Sequence, residues 1–280
     1  MRKKTKQKTF AFVLCFFLIL AFIVAGAEAE LKICFLDVGQ GDSILIQCDG
    51  NNMLIDAGPL EAGTKVNAWL KKNNIEQLDY VIATHEHDDH LFGMPDALRG
   101  MKVNHIFTPP AIPLTYWFEQ ILPGLNQDSL SVTKPNPLDT FLLGNATVTF
   151  LNGTVWEAIP NDLSLVIRID YGDNSALLAA DLEGPGEEEL LKRDVKLNAD
   201  VLKIGHHGGN TSTTDAFIRA VNPQYAVISV GKDNKHGHPH GETLKKLEKY
   251  DTAVYRTDEF GTVTMTSDGT HWTVEVEKAR

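Results

Sequence analysis

Residues 85–90, which read His-Glu-His-Asp-Asp-His, bring three histidines and three carboxylates into six consecutive positions. Imidazole nitrogens and carboxylate oxygens are the usual protein ligands of zinc and similar divalent ions. His85 and His87 are two residues apart, so both rings can face one ion from an extended segment. Asp89 and His90 are adjacent, and a helix that begins after the loop would turn both toward a second ion. An ordinary polar loop is the alternative interpretation, but crowding so many ligand groups together without compensation is costly.

The segments around this cluster indicate how it is positioned. Leu78–Ala83 predicts a buried strand that leads directly into Thr84 and His85. Val201–Ile204 predicts another buried strand, which ends at residues 205–207 (Gly-His-His). Open α/β sheets place their sites at strand ends, so both polar clusters lie where a functional site is expected.

The remaining pattern predicts one layered α/β domain over residues 30–280, because no repeat, low-complexity stretch or long linker divides them. Further predicted strands are Leu31–Val38, Ser43–Cys48, Asn51–Ile55, Leu163–Tyr171, Ser175–Ala180, Tyr225–Val230, Ala253–Arg256, Thr262–Thr266 and Trp272–Val276. The predicted helices are Lys65–Lys72, Glu187–Lys192, Asp215–Ala220 and Glu242–Tyr250.

Residues 1–29 predict a leader outside this domain. Five basic residues within the first eight precede an unbroken apolar or small run, Phe10–Ala27. Residues 27–29 (Ala-Glu-Ala) then have the small-x-small shape of a signal-peptidase site. The run is 18 residues long, so an uncleaved membrane anchor is the alternative to a cleaved signal peptide. In both cases we expect the domain outside the cytoplasm, either secreted or held at the cell membrane.

The net charge bears on the binding partner. Without the five basic residues and one acidic residue of the leader, residues 30–280 carry 21 basic and 36 acidic residues, a net charge of −15. Proteins that grip a nucleic-acid backbone usually carry a basic patch, and the sequence shows no basic run outside the leader.

Two cysteines remain after the leader, Cys34 and Cys48, and they lie on neighbouring predicted strands. A cross-strand disulfide is one interpretation in an oxidising compartment, and two small buried apolar residues are the other.

The order of the motifs resembles that of the metallo-β-lactamase superfamily. His-x-His-x-Asp-His after a strand resembles its signature, and residues 205–208 (Gly-His-His-Gly) resemble its late histidine motif. Asp56 resembles the early aspartate that supports a ligand histidine from behind. Asp181 resembles the later aspartate that bridges two metals. The resemblance implies a four-layer αββα sandwich with two divalent ions, zinc or manganese, at one edge of its two sheets.

A closer resemblance is to the hydrolase domain of ComEC-type DNA-internalisation competence proteins. It extends over about residues 31–269, with several motifs in the same order. The segments that carry it are residues 36–43 (LDVGQGDS), 203–208 (KIGHHG), 211–212 (TS), 229–231 (SVG), 237–239 (GHP) and 256–259 (RTDE). The multi-helix membrane channel of those proteins is not part of this sequence, so we expect a free-standing relative.

One position departs from the wider superfamily, whose members mostly supply a further histidine before the bridging aspartate. Between His90 and Asp181 the only histidine is His105, and the apolar strand pattern around it favours a structural role. Asn161 and Ser164 stand at the expected place and resemble the Asn-x-x-Ser of the ComEC-type group, where they would support the site. The first ion would then have three protein ligands and an open position for water or substrate.

The late histidines leave some roles open. We predict these metal ligands: His85, His87, Asp89, His90, Asp181 and one of His206 and His207. A tight turn cannot easily direct both late histidines at one ion, so the other lines the pocket or bonds a supporting group. His238 either reaches the site as a proton donor or lies in a solvent-exposed histidine loop. Asp89 can also accept a proton, although a ligating carboxylate is a weak base.

These features predict an exported metal-dependent hydrolase, in which metal-activated water attacks phosphorus or a carbonyl carbon. The ComEC-type resemblance favours a phosphodiester of nucleic acid, and thus an extracellular nuclease acting on DNA. The net charge of −15 fits a small or cell-wall phosphodiester better, and a β-lactam or lactone is a weaker alternative. A non-enzymatic binding module that lost turnover is the remaining hypothesis, which the intact ligand cluster opposes.

Overall fold

The strands were identified in a computed structural model, which describes residues 30–109, 111–112, 119, 130–152 and 160–279. In chain order they are β1 (Leu31–Phe35), β2 (Ile44–Cys48), β3 (Asn51–Ile55), β4 (Gln77–Ile82), β5 (Lys102–Phe107), β6 (Ser131–Thr133), β7 (Thr140–Leu143), β8 (Ala146–Phe150), β9 (Ile167–Tyr171), β10 (Asn174–Leu178), β11 (Val201–Lys203), β12 (Tyr225–Ile228), β13 (Ala253–Arg256), β14 (Val263–Ser267) and β15 (Trp272–Val276). The predicted leader lies outside the described residues.

The described helices are short. They are α1 (Gly63–Lys72), α2 (Asp88–Leu91), α3 (Met94–Ala97), α4 (Gly184–Leu191), α5 (Asp215–Val221), α6 (Gly241–Lys249) and α7 (Thr257–Phe260). Three 3-10 turns cover Leu60–Ala62, Pro160–Leu163 and Gly205–Gly208. Within the described ranges, none of the helices has the length and apolar character needed to cross a membrane.

The strands form two mixed sheets. The first has the order β15-β14-β1-β2-β3-β4-β5-β6, and the second has the order β13-β12-β11-β10-β9-β8-β7. β3 to β6 run parallel, as do β10 to β13, while the hairpins at the other ends are antiparallel. β14 returns from the end of the chain to pair with β1, and Ser267 lies opposite Leu31.

Strand alternation explains how the sheets are stacked. In β1, Leu31, Ile33 and Phe35 face one side and pack in a cluster with residues of the second sheet, such as Phe150 of β8. The opposite face of the first sheet packs on α1 and α3, and the outer face of the second sheet packs on α4, α5 and α6. Each fully buried Leu, Ile or Phe contributes about 1.5–3 kcal/mol to this core. The predicted four-layer αββα sandwich is therefore confirmed.

The same alternation decides between the two interpretations of the cysteines. Cys34 packs between the first sheet and its helices, whereas Cys48 packs between the two sheets. Their side chains point to opposite faces, and Cys34 lies opposite Leu45 instead of Cys48. Both thiols are free and buried. The structure therefore shows two small buried residues and no disulfide between them.

Two predicted strands extend three or four residues beyond the observed ones, and both differences occur near the polar clusters. The strand predicted over Leu31–Val38 ends at Phe35, and the strand predicted over Leu163–Tyr171 begins at Ile167. The amide of Leu165 donates to the carbonyl of Thr84 in the other sheet, at 3.0 Å. At Leu165 the backbone therefore bonds to the other sheet instead of continuing a ladder, which is why this strand begins later than predicted.

The carboxyl ends of β3, β4, β10, β11 and β12 all lie at this edge, because parallel strands end on the same side. The loops that follow these strands hold Asp56, His85, Asp181, His207 and Ser229. The predicted clusters of polar residues therefore meet where the two sheets come together.

Candidate metal centre

Asp56 is the centre of a hydrogen-bond network that orients two histidines. Its carboxylate accepts the Thr84 amide at 2.8 Å, the Thr84 hydroxyl at 2.6 Å and Nδ1 of His90 at 2.8 Å. The Thr84 hydroxyl oxygen lies 3.0 Å from Nδ1 of His85. With each Nδ1 engaged in this way, the Nε2 atoms of both rings are left free to bind something else. Asp56 thus contacts His90 directly and reaches His85 through Thr84.

The second sheet brings Asp181 and His207 to the same point. Oδ1 of Asp181 lies 3.3 Å from Nε2 of His90 and 3.4 Å from Nε2 of His207, and Oδ2 lies 3.8 Å from Nε2 of His85. His207 donates from Nδ1 to the Ser229 carbonyl at 2.9 Å, which turns Nε2 toward the cluster. Asp181 therefore stands between the histidines of both sheets.

Asp89 completes the cluster. Its Oδ2 lies 3.2 Å from Nε2 of His207, and its Oδ1 lies 4.0 Å from Nε2 of His90. α2 begins at Asp88, so the helical start predicted after the loop is confirmed, and it turns Asp89 and His90 toward the site. Two groups of three residues consequently have ligand atoms within 4.8 Å of one another: His85, His90 and Asp181, and Asp89, His90 and His207.

The residues fit divalent metal ions. Nε2 of His85, His90 and His207 and Oδ1 of Asp181 are buried and make no hydrogen bond. Leaving a buried polar atom without a partner costs about 1–3 kcal/mol, so four such atoms converging on one point indicate a missing partner. Nitrogen and oxygen ligands of this kind suit zinc and manganese.

Burial and the neighbouring ionisable groups shift the pKa values of the residues in the cluster. Burial lowers the pKa of His85 well below its ordinary value. Burial also opposes a charge on His207, but Asp181 and Asp89 outweigh it and raise its pKa to about 9. Burial opposes the charge of Asp181 too, yet His207 and His90 hold the pKa of that carboxyl well below its usual range. Asp181 and Asp89 therefore concentrate negative charge at the point where a cation would bind.

A third group of possible ligands is arranged differently. Asp42, Asp56 and His90 are all buried and have ligand atoms within 4.8 Å of one another. However, the ammonium of Lys203 lies 2.6 Å from Oδ2 of Asp42, and Asp56 already accepts three hydrogen bonds. A cation is therefore already present beside these carboxylates, and a metal ion has no role there.

His87 and His206 lie at the margin of the cluster. The ring of His87 is partly exposed, 4.8 Å from the ring of His85 between centroids. Nδ1 of His206 lies 2.8 Å from Oε1 of Glu183, so this ring is tied to the cleft wall. Of the two late histidines, the structure places His207, and not His206, against Asp89 and Asp181.

Asn161 and Ser164 lie behind the bridging position. The Ser164 hydroxyl accepts the amide of Asp181 at 3.3 Å, and the Asn161 side chain donates to Glu183 at 3.0 Å. Both residues thus contact the loop that carries Asp181. His105 lies on β5 with its ring 4.4 Å from that of Phe107, and belongs to neither ligand group.

His238 lies beside the cluster on the cleft wall. Its ring centroid is 5.2 Å from that of His206 and 6.3 Å from that of His207. Burial, together with these neighbouring histidines, lowers the pKa of His238 to about 4. The ring is therefore uncharged at neutral pH, and a neutral imidazole still donates one hydrogen bond.

Several of the loops use left-handed backbone that side chains normally avoid. The φ angles are +55° at Asp56, +46° at Ala180, +48° at His206 and +52° at His207. Such a conformation costs an L residue about 1–2 kcal/mol, and residues held in it tend to cluster at functional sites. The two successive left-handed histidines turn the ring of His207 inward while His206 remains on the wall.

An open cleft of about 810 Å³ leads to the cluster. Its lining includes Leu60 and Phe92, which are 62% and 45% exposed, and the polar residues Lys235 and His236. Among the described residues that line the cleft, Lys235 is the only lysine or arginine. A substrate can therefore reach the ligand cluster from solvent past both apolar and polar side chains.

Three residues near the site were given no role in the sequence analysis, and the sequence pattern could have indicated one of them. Lys203 interrupts an apolar strand, and a charge in a buried strand needs a partner. Asp42 and Glu183 carry no local sign of function, because their partners are distant in the sequence.

Comparison with known proteins agrees with this geometry. A family model described as "Metallo-beta-lactamase superfamily" matches residues 36–232. ComE operon protein 3 of Bacillus subtilis is 30% identical over 270 residues, covering 90% of this chain and 35% of that protein. Recombination protein 2 of Haemophilus influenzae is 29% identical over 260 residues, covering 91% of this chain and 31% of that protein. The chain therefore spans about a third of the length of these curated relatives.

A solved structure supports the fold. The metallo-beta-lactamase fold protein YhfI from Bacillus subtilis has a TM-score of 0.51 at 14% identity, covering 80% of this chain and 95% of that chain. The residues matched by the family model include the His85–His90 segment and the loops of Asp181 and His207. The chain thus belongs to the metallo-β-lactamase superfamily of metal-dependent hydrolases and is related to bacterial competence proteins.

Proposed function

We propose that the protein is an exported phosphodiesterase that uses two divalent metal ions, zinc or manganese, to cleave nucleic acid. The observation that carries the proposal is the convergence of four unpartnered buried ligand atoms at the floor of an open cleft. The similarity to ComE operon protein 3 and to Competence protein ComA of Neisseria gonorrhoeae supports a nucleic-acid substrate.

The two groups of side chains suggest the ligand roles, to which the sequence motif adds His87. His85 and Asp181 would hold the first ion together with His87, whose partly exposed ring lies 4.8 Å from that of His85. Asp89, His90 and His207 would hold the second ion, and Asp181 would bridge the two.

Bound divalent ions would supply a Lewis acid that activates water and stabilises the negative charge developing on a phosphate oxygen. The chain's own residues do the rest. Asp89, whose side chain is 23% exposed, can accept a proton, although it is a weak base. Burial opposes its charge, but His207 and His90 hold the pKa of this ligating carboxyl well below its usual range. His238 is uncharged at neutral pH and can donate a hydrogen bond to a substrate oxygen. His206, fixed by Glu183, orients the substrate on the same wall.

The cleft walls suit a nucleotide. Exposed large apolar side chains are a good surface for the face of a base, as Phe92 and Leu60 provide here. Lys235 in the lining of the cleft can contact a phosphate next to the scissile one.

A small or cell-wall phosphodiester is the second candidate substrate, and a specific observation favours it. Residues 30–280 carry a net charge of −15, and Glu61 and Asp88 line the cleft with the single Lys235. A long nucleic acid would be repelled by such a surface. This candidate keeps the same metal site and mechanism.

The test is hydrolysis by the purified protein with Zn²⁺ or Mn²⁺, comparing single-stranded DNA with bis(4-nitrophenyl) phosphate. We expect metal-dependent cleavage of DNA that is lost in His87→Ala and in Asp181→Asn. His271→Ala is the matched control, because that side chain is 81% exposed and lies in the tail. Its activity should equal that of the unmodified protein.

Other results would redirect the proposal. Turnover of the small ester alone would select the second candidate. Absence of metal-dependent turnover of either ester would contradict the phosphodiesterase, and carbonyl substrates such as β-lactams and lactones would follow. A protein that binds no metal would be an inert binding module.

The proposed location outside the cytoplasm rests on the composition of residues 1–29. Fractionation of the producing cells with mass measurement of the protein tests it. A secreted form lacking the leader, or a full-length form in the membrane fraction, would support it, whereas a full-length cytosolic form would contradict it.

A further inference from the structure

A lysine and an aspartate are buried behind the metal cluster. Lys203 of β11 is fully buried, and Asp42 is 1% exposed. The Lys203 ammonium lies 2.6 Å from Oδ2 of Asp42. Removing two charges from water is expensive, and replacing a buried ion pair by uncharged side chains is often neutral or stabilising. Stability alone therefore does not explain why a charged pair is buried at this position.

Asp42 is tied to the first-sheet side of the cluster through its backbone. Its amide donates to the carbonyl of Asp89 at 3.1 Å, and its carbonyl accepts the amide of Gly58 at 2.8 Å. Gly58 follows closely after Asp56, the residue that orients His90. Any displacement of Asp42 would therefore shift the segments that carry Asp89 and the support of His90.

Lys203 is tied to the second-sheet side. Besides contacting Asp42, its ammonium donates to the carbonyl of Ala180 at 3.0 Å. Ala180 has a φ of +46° and directly precedes Asp181, so this bond fixes a strained turn at the bridging position. Lys203 also ends the strand that leads to His207.

The second carboxylate oxygen of Asp42 supports the same interpretation. Oδ1 makes no hydrogen bond although it is buried, and it lies 3.6 Å from Nδ1 of His207. A negative charge beside Nδ1 makes the opposite nitrogen of an imidazole a better metal ligand. Asp42 thus affects His207 electrostatically as well as through position.

We infer that Asp42 and Lys203 are positioning residues whose ion pair sets the spacing between the ligands of the first sheet (Asp89, His90) and those of the second (Asp181, His207). The inference rests on the proposed two-metal function. Its specific content is that the charged pair is needed for metal affinity and geometry, and not for folding as such.

The experiment uses the full chain and reads out metal binding without any activity assay. The variants are Lys203→Met, Asp42→Asn and the double variant Asp42→Asn/Lys203→Met. Zn²⁺ affinity is measured by competition with a chromophoric chelator, the visible spectrum of the Co²⁺-loaded protein reports ligand geometry, and the thermal midpoint of the metal-free protein reports folding. The single variants should bind Zn²⁺ about tenfold or more weakly and show altered Co²⁺ bands.

The double variant separates positioning from stability. Removing both charges should restore most of the thermal midpoint lost in Lys203→Met, because no unpaired buried charge remains. Zn²⁺ affinity and the Co²⁺ spectrum should stay impaired. If the double variant, or both single variants, bound both metals as the unmodified chain does, the inference would be overturned.

The chain offers a matched control. Arg168 of β9 is 2% exposed, pairs with Asp170 at 2.6 Å and donates to the carbonyl of Asn198, as Lys203 does to Ala180. None of the contacts given for Arg168 is with a residue of the ligand cluster. Arg168→Met should lower the thermal midpoint while leaving Zn²⁺ affinity unchanged, and an equal loss of affinity would show that destabilisation alone weakens the site. An unmodified chain that bound no Zn²⁺ would overturn both the proposed function and this inference.

Discussion

Each sheet supplies half of the ligand cluster, and the two halves are held in place in different ways. On the first-sheet side, His85 and His90 are oriented by Asp56 and Thr84, and the ligands lie within the six consecutive residues His85–His90. On the second-sheet side, Asp181 and His207 depend on partners from several loops: Ser164, Lys203 and Ser229. The ligands of the first half thus come from one short stretch of chain and share one supporting carboxylate, whereas those of the second half come from two separate loops with separate partners.

This difference means that the two halves should respond differently to mutation. A change on the first-sheet side should act on metal binding through one compact network. A change on the second-sheet side should act through the packing of the two sheets. The following variants test that contrast, with metal affinity as the common measure.

Asp181→Asn should have the largest effect, because Asp181 is the residue that faces His85, His90 and His207 together. We expect Zn²⁺ affinity to fall by more than about 100-fold. This decrease exceeds the one expected when a residue that orients a metal ligand is removed. Adding a chelator should lower the thermal midpoint of the unmodified protein and leave that of the variant nearly unchanged. A variant that still bound two ions would remove Asp181 from the bridging position.

Asp56→Ala should be next, and it tests the first-sheet side alone. It leaves the buried amide of Thr84 without an acceptor, at a cost of about 1–3 kcal/mol, and should weaken metal binding by about 10–100-fold. Asp79→Ala is the control, because Asp79 on β4 also accepts from Asn52, Gln77 and Asn104 but lies away from the cluster. Calorimetric titration should show lost affinity only in Asp56→Ala.

Gly41→Ala should have a moderate effect at the junction between the sheets. A Cβ atom at Gly41 would lie 2.1 Å from the carbonyl oxygen of Asp89, and the φ of +132° is itself unfavourable for alanine. We expect the free energy of unfolding to fall by roughly 2–4 kcal/mol, with weaker metal binding. Gly39→Ala has a φ of +79° but no atom within 4 Å, so it should cost less and spare the metal. Equal denaturation curves for the two would argue against this clash.

His206→Ala should have the smallest effect on metal affinity. The ring contacts Glu183 on the cleft wall, whereas that of His207 is buried against Asp89 and Asp181. We expect unchanged Zn²⁺ affinity with a decrease in turnover of less than about tenfold, while His207→Ala loses affinity. If the two variants lost affinity equally, the geometric distinction between the neighbouring histidines would be wrong.

The contrast also explains what could be predicted from the sequence. The cluster at residues 85–90 was evident from spacing because its ligands are local. Asp56, Asp181 and the late histidines were indicated only by resemblance to a family, since nothing near them in the sequence shows what they face. The strands followed from apolar periodicity and the αββα layers from resemblance to the family, and the structure confirms both.

Non-local contacts account for the differences. The start predicted for the strand at Leu163 was wrong because the Leu165 amide bonds to Thr84 of the other sheet, and the strand predicted to reach Val38 ends at Phe35. The partner of Lys203 could not be predicted, because Asp42 lies on the other sheet. The choice between His206 and His207 depended on backbone angles, φ near +50° in both, that no periodicity shows.

The pairing of β14 with β1 has a consequence for how the domain is made. β1 is the first strand of the domain to be synthesised, yet one of its two neighbours is completed only at Ser267. Until then β1 has an open edge, and such edges are prone to pair with other chains. Contacts between residues so far apart in sequence also slow folding. The domain should therefore acquire protease resistance in one late step, after residues 263–267 have emerged, and not progressively during synthesis.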